Sequence, residues 1–223
     1  MGKPYTRIFS ISSLMASRFP ILLFDDFETL LKWDIAGPGT PVASLCATNA
    51  FNGAKSLSIK TTTPGAAIDD VAETTRTFPM TPVLLLEFNC FFNILAANKF
   101  KTIRIYTLFY NGTNRHECVI EYNVTSTKWQ YTDSTGALTD IPGATVEVHE
   151  NSWHRFAASF DLKNNKYRSF TIDHLKYDLS GIPLRVTADA RGIVCYVGIA
   201  ITSATATVPE LLIDDFACTE LEI

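Results

Sequence analysis

Four aspartates in two pairs are the residues of this 223-residue sequence whose types and spacing most readily do chemistry. Asp25 and Asp26 end the run Leu23-Phe24-Asp25-Asp26-Phe27-Glu28. Asp214 and Asp215 end its near-copy at the other end of the chain, Leu212-Ile213-Asp214-Asp215-Phe216. Each pair follows a short apolar run of strand type. If those two runs are neighbouring strands, the four carboxylates and nearby backbone carbonyls offer the hard oxygen ligands that Ca2+ collects, about six to eight at a time. The same residues read equally well as solvated strand ends, because no regular calcium loop accompanies them.

A second chemistry to look for is glycoside cleavage, which needs two carboxyl groups about 5 to 9.5 Å apart. The apolar run around Leu84 to Phe92 supplies only Glu87, with Asn89 and Phe91 at the alternate positions. Glu117 and Glu121 share one face of a strand but stand four residues apart, roughly 13 Å by strand rise. His149 and His154 are five residues apart, not the four that would put both imidazoles on one helical face around a metal. No Gly-x-Ser-x-Gly turn occurs. On these residues alone the expectation is that the chain is not an enzyme.

A binding face is easier to draw. Strand alternation puts Arg104, Tyr106 and Tyr110 on one side of the run Thr102 to Asn111, and Glu121 and Asn123 on one side of the next run. Trp129 and Tyr131 share a side of the short run that follows. With Glu87 and Asn89 they are expected to line a concave sheet, where rings stack on sugars and planar polar groups bond hydroxyls. The competing reading is an ordinary solvated face, or one covered by the N-terminal arm or a second subunit.

The elements that must carry these residues are strands. Runs rich in Val, Ile, Thr, Phe and Tyr recur between clusters of Gly, Pro, Asn and Asp. They cover Ile21 to Phe27, Val42 to Ala47, Ser56 to Thr62, Glu73 to Phe78, Val83 to Phe92, Thr102 to Asn111, Glu117 to Val124, Lys128 to Thr132, Trp153 to Asp161, Tyr167 to Ile172, Ile193 to Thr202 and Glu210 to Thr219. About a dozen strands at this spacing predict a sandwich or jelly roll. A hydrophobic content of 47% is enough to bury one substantial core. The net charge of −4, without a basic run, argues against nucleic acid as a partner. No stretch of 18 apolar residues occurs, so no transmembrane helix is expected. The five cysteines lie singly inside apolar runs, which suits buried thiols better than a disulfide framework or zinc.

Four short motifs carry a family resemblance: the opening Asp25-Asp26-Phe27-Glu28 with Trp33 after it, Gly53-Ala54-Lys55-Ser56-Leu57, the hairpin opened by Trp153-His154-Arg155-Phe156, and the closing Ile213-Asp214-Asp215-Phe216. Together, over roughly Ile21 to Thr219, they resemble the concanavalin A-like jelly rolls, a superfamily that includes carbohydrate-binding modules, laminin-G-like domains and some virion proteins. The resemblance implies an all-β, two-sheet antiparallel β-sandwich, and a structural Ca2+ of the kind such modules often hold.

Ahead of the sandwich, Lys3 to Ala16 has the outline of a weak secretion signal, but three serines dilute its apolar stretch. Ile8, Phe9, Ile11, Leu14 and Phe19 make residues 1–20 too apolar to hang in water, and an extended arm docked on its own sandwich or on another subunit is expected. The domain division is then an arm over 1–20 and one jelly roll over 21–223. The resulting expectation is a non-catalytic assembly protein in a virion coat or tail, or at an extracellular surface, with other subunits as partners. The alternative is a carbohydrate-binding module or adhesin using the aromatic face, and a third reading is a glycan hydrolase or lyase.

Overall fold

The computed structural model describes residues 21–29, 32–38, 40–61, 69–79 and 85–221. Its strands are β1 (Ile21–Asp25), β2 (Asp34–Ala36), β3 (Val42–Cys46), β4 (Ser56–Lys60), β5 (Val71–Pro79), β6 (Leu85–Ile94), β7 (Phe100–Tyr110), β8 (Asn114–Asn123), β9 (Lys128–Thr132), β10 (Leu138–Asp140), β11 (Trp153–Asp161), β12 (Lys166–Ile172), β13 (Leu175–Asp178), β14 (Arg185–Ala188), β15 (Val194–Ser203) and β16 (Glu210–Glu220). A single 3-10 turn at Ala97–Lys99 is the only helical element among the described residues.

The strands form two antiparallel eight-stranded sheets. The first runs β13-β12-β11-β6-β16-β4-β3, with β1 also on β16; the second runs β10-β9-β8-β7-β15-β5-β2, with β14 also on β8. The expected all-β sandwich is therefore the fold, and its first and last strands do pair, with Leu23 opposite Cys218 and Asp25 opposite Phe216. The expected docking arm, with Ile8, Phe9, Ile11, Leu14 and Phe19, lies outside the described residues, as does the division at residue 20.

Period-two alternation builds the core between the sheets. On β7, Ile103, Ile105 and Phe109 are buried and face Phe88, Phe92, Phe156 and Phe160 of the first sheet across one continuous apolar cluster. Burying side chains of this size stabilises by roughly 1.5–3 kcal/mol each, which is what holds two otherwise separate sheets face to face. Cys90, Cys118, Cys195 and Cys218 are buried within it, Cys46 is half-buried, and all five are free thiols. No helix among the described residues is long and apolar enough to cross a membrane.

Four strands, β2, β10, β13 and β14, have no counterpart among the runs expected from the sequence. Each has three or four residues and lies at a sheet margin, too short to show an alternation.

Candidate functional site

The outer face of the second sheet carries a connected set of polar groups among the described residues. Its centre is β7, flanked by β8 and β15, and the side chains that alternate away from the core are Arg104, Tyr106 and Leu108 on β7, Glu117, Val119 and Glu121 on β8, and Tyr196, Gly198 and Ala200 on β15. Register sets Arg104 opposite Glu121 on one side and Ala200 on the other, with Glu73 of β5 beyond Ala200. Arg104 donates from Nε to Glu121 Oε2 at 2.7 Å, and its Nη2 lies 2.6 Å from the same oxygen. One row along, Tyr106 lies between Val119 and Gly198.

Tyr106 lies flat across Gly198. A Cβ at that glycine would fall 2.2 Å from the ring, so only hydrogen leaves room. Gly198 is not among the residues with positive φ, so space and not backbone conformation explains it. The ring thereby reaches over β15, and its hydroxyl donates to Glu73 Oε1 on β5. A phenol bonded to a carboxylate, beside a guanidinium bonded to another, makes a compact centre able to move a proton and to hold an anionic or hydroxyl-bearing group.

Several expected members of this face are elsewhere. Trp129 is buried against Phe92, Tyr122 and Phe170, with Nε1 donating to the Val146 carbonyl, so it cannot stack on a sugar. Tyr131 packs edge-on against Tyr167 on the core side. The alternation of β9 points both rings inward, opposite to the orientation expected from the sequence; Gln130 faces out beside Glu121. Glu87 and Asn89 lie on β6 in the other sheet. Tyr110 is on the outer side but covered, edge-on to Tyr196 and under the Arg191 guanidinium 4.8 Å away. Arg104, Tyr106 and Glu121 are brought together as expected. Glu73 and Gly198 are additions that the sequence reading lacks, although a lone glycine inside the apolar strand Val194–Ser203 is itself a signal of close approach.

The paired aspartates divide. Asp25 turns inward, where Oδ2 accepts from Trp33 Nε1 at 3.1 Å and pairs with Arg76 of the opposite sheet. That removes it from any shared cation site. Asp214 is fully buried; its Oδ2 accepts from the Phe51 and Asn52 amides at 2.8 and 3.0 Å, and its Oδ1 from the Asp215 amide. Burial pushes its carboxyl up to about 7, the Asp215 charge adding to the effect and the three N–H donors opposing it. Asp215, at a break in the β16–β6 register with φ +46°, is also raised, first by burial and then by the charges of Asp26 and Glu28. Its Oδ1 is buried without a hydrogen-bond partner, while Asn52 Nδ2 reaches its Oδ2 at 3.4 Å. Among the described residues no three His, Cys, Asp or Glu side chains converge closely enough to hold a metal by themselves.

His154, the other titratable group weighed in the sequence, is spoken for. Its Nδ1 lies 2.9 Å from Asp173 and its Nε2 accepts from the His149 amide, so it ties the start of β11 to its neighbours.

No protein-family model matches the sequence, and no curated protein is similar enough in sequence to match. Solved structures do match in fold. An endo-β-1,4-glucuronan lyase from the fungus Trichoderma reesei superposes with a TM-score of 0.64 at 14% identity, covering 91% of this chain and 96% of that one. A carbohydrate esterase from a Shiga toxin-encoding bacteriophage gives 0.52 at 18% identity, over 92% and 100%. The Bacillus licheniformis β-glucanase gives 0.51 at 13% identity, over 90% and 98%. The fold is thus shared with these proteins, a two-sheet antiparallel jelly roll as the short motifs imply. The expectation of a protein without catalytic activity is corrected by the same comparison, because the sandwich is shared with a lyase, an esterase and a glucanase and that expectation rests on motif absence alone.

Proposed function

We propose that this chain is a glycan-active jelly-roll protein that holds a polysaccharide across the outer face of its second sheet, with Tyr106 and Glu73 as its acid–base pair. The observation that carries the reading is Tyr106 laid over Gly198, its hydroxyl on Glu73, beside the Arg104–Glu121 pair. The three fold neighbours described above, each named for an activity on glycans, support it. Hydrolysis by a carboxyl pair does not suit this face. Glu73 and Glu121 share a row but are separated by Arg104 and Ala200, three strand steps or roughly 14 Å, outside the range of about 5 to 9.5 Å. Proton transfer through the Tyr106 hydroxyl, with Glu73 as its partner, fits better.

The test is a panel of polysaccharides scored for binding by affinity electrophoresis and for new chain ends. Wild type is expected to bind and to turn over at least one of them, and Tyr106→Phe to bind it with turnover reduced about 100-fold or more. A wild-type chain that neither binds nor cleaves any of them refutes the reading.

For the cation, Asp215 and the Asn52 side chain are the residues that would hold Ca2+, with backbone carbonyls and water completing the set, while Asp26 and Glu28 add negative charge nearby without converging on the ion. The unpartnered Asp215 Oδ1 and the mutual repulsion of these acids support that assignment. The ion would supply charge compensation to the three carboxylates. An assembly role, with further subunits of a virion or surface layer as partners, draws on residues 1–20 and finds no support in the described residues. Light scattering on the full chain and on a chain lacking residues 2–18 tests it, a fall in mass being the supporting result.

A further inference from the structure

The ion pairs that Glu121 and Glu117 of β8 make on the outer face of the second sheet are unevenly buried, and in the same direction. Glu121 has 3% of its side chain exposed while Arg104, its partner, has 45%. Glu117 has 15% exposed; its two partners, Arg185 with Nη1 2.9 Å away and Arg115 with Nη2 3.4 Å away, have 36% and 26%. The carboxylates lie down against the sheet and the guanidinium groups stand over them. Solvent therefore meets cations at the middle of a face whose pairs are formally near neutral, on a chain whose net charge is −4. Of the other acids on this sheet, exposed Asp34 and half-buried Asp140 lie on its two edge strands, Asp140 paired with Lys128, and half-buried Glu73 on β5 is bonded to the Tyr106 hydroxyl.

Resting on the glycan reading above, we infer that the ligand is an acidic polysaccharide whose sugar carboxylates dock on two cationic posts, Arg104 and the Arg115/Arg185 pair. Arginine suits the role because its fixed fork of N–H donors matches a carboxylate and keeps spare donors after one bond to a buried partner. The posts are anchored by Glu121 and Glu117, four residues apart on β8 and so roughly 13 Å from each other. That separation exceeds a single sugar and calls for a chain that carries its charges at intervals. Between the posts the face offers Tyr106, Leu108 and Val119, half-buried or buried flat surface on which a sugar ring can rest.

The experiment compares matched ligands that differ in charge and not in backbone: polygalacturonate against its methyl ester, and a β-1,4-glucan before and after oxidation of its primary hydroxyls to carboxylates. The full chain is titrated with each by calorimetry at low and high salt. At least one acidic member is expected to bind tenfold or more tighter than its neutral counterpart, with the advantage shrinking as salt rises. The paired variant Arg104→Gln/Glu121→Gln removes one post without leaving a buried charge behind, and should cut that advantage several-fold. Arg185→Gln, whose Glu117 keeps Arg115, should do the same at the second post and serves if the double variant does not fold. Neutral and acidic members binding alike would overturn the acidic preference and leave the glycan reading standing. Absence of binding to both pairs and to the wider panel would remove both. An acidic preference untouched by either variant would overturn the assignment to these arginines.

Discussion

Glu121 and Asp214 are both buried carboxylates, one in each sheet, yet their surroundings are opposite. Glu121 lies under a guanidinium that neutralises it. Asp214 accepts from backbone N–H groups, with Asp215, Asp26 and Glu28 adding negative charge to the same corner. Burial makes a charged group costly in both places, but a formal cation offsets that cost where amide dipoles offset it only in part. The carboxylates under the arginines of the second sheet's face are thus compensated in place, whereas the β1–β16 corner has only amide dipoles and a proton to offset its buried charge.

The contrast breaks most visibly if the Glu121 cation is removed. Arg104→Leu should destabilise the fold by about 3 kcal/mol, the lower part of the range for stripping one partner from a buried pair, and Arg104→Leu/Glu121→Leu should recover most of it. Urea unfolding of both variants reads this, and an equal loss in the double variant would mean the pair is not what matters. Next, Gly198→Ala forces the Tyr106 ring off β15, at no more than about 1 kcal/mol because the atoms in the way are the far end of a half-buried side chain on the outer face. Glycan binding should fall with it, and a variant as stable and as active as wild type would refute the close approach.

The uncompensated corner should show itself through pH. A carboxyl held near 7 in the fold, against about 4 unfolded, binds its proton more tightly when folded, so its stabilising protonation is present at low pH and is lost as pH rises from about 4 through about 7. Melting in the absence of divalent ions should therefore occur a few degrees lower at pH 8 than at pH 5.5. Millimolar Ca2+ should remove that fall, and Asp215→Asn should abolish the calcium effect; a pH-independent melt with no calcium response would erase the contrast. The smallest effect belongs to the exposed pair Lys128–Asp140, with about half of each side chain in water. Lys128→Ala should cost a few tenths of a kcal/mol, and a loss of 1 kcal/mol or more would show that even edge pairs here act as buried ones.

Much of the architecture is readable in the chain because alternation and turn residues are local properties. Strands Lys128–Thr132 and Trp153–Asp161 have the limits their residue types indicate, and the near-repeat of Leu23-Phe24-Asp25-Asp26 and Leu212-Ile213-Asp214-Asp215 announces two paired end strands. The site is legible only in part. Arg104, Tyr106 and Glu121 share an outer face because their alternation is unambiguous. The orientation of β9 depends instead on which of its faces the second sheet turns inward, and Trp129 with Tyr131 lies on the core side rather than the expected outer one.

Residue order alone is enough for the class of fold, since hydrophobic period two leaves a chain of this composition no other way to bury its apolar side chains. Which polar residues meet is settled by the packed structure. Tyr106 reaches Glu73 across an intervening strand, Arg104 finds Glu121 seventeen positions away, and Asp25 parts from Asp26 to pair with Arg76 on the opposite sheet. Those meetings depend on strand order and register between segments far apart in the chain. No local pattern of residue types encodes them, because the free energy that sets the register comes from the apolar face and is indifferent to what the other face carries.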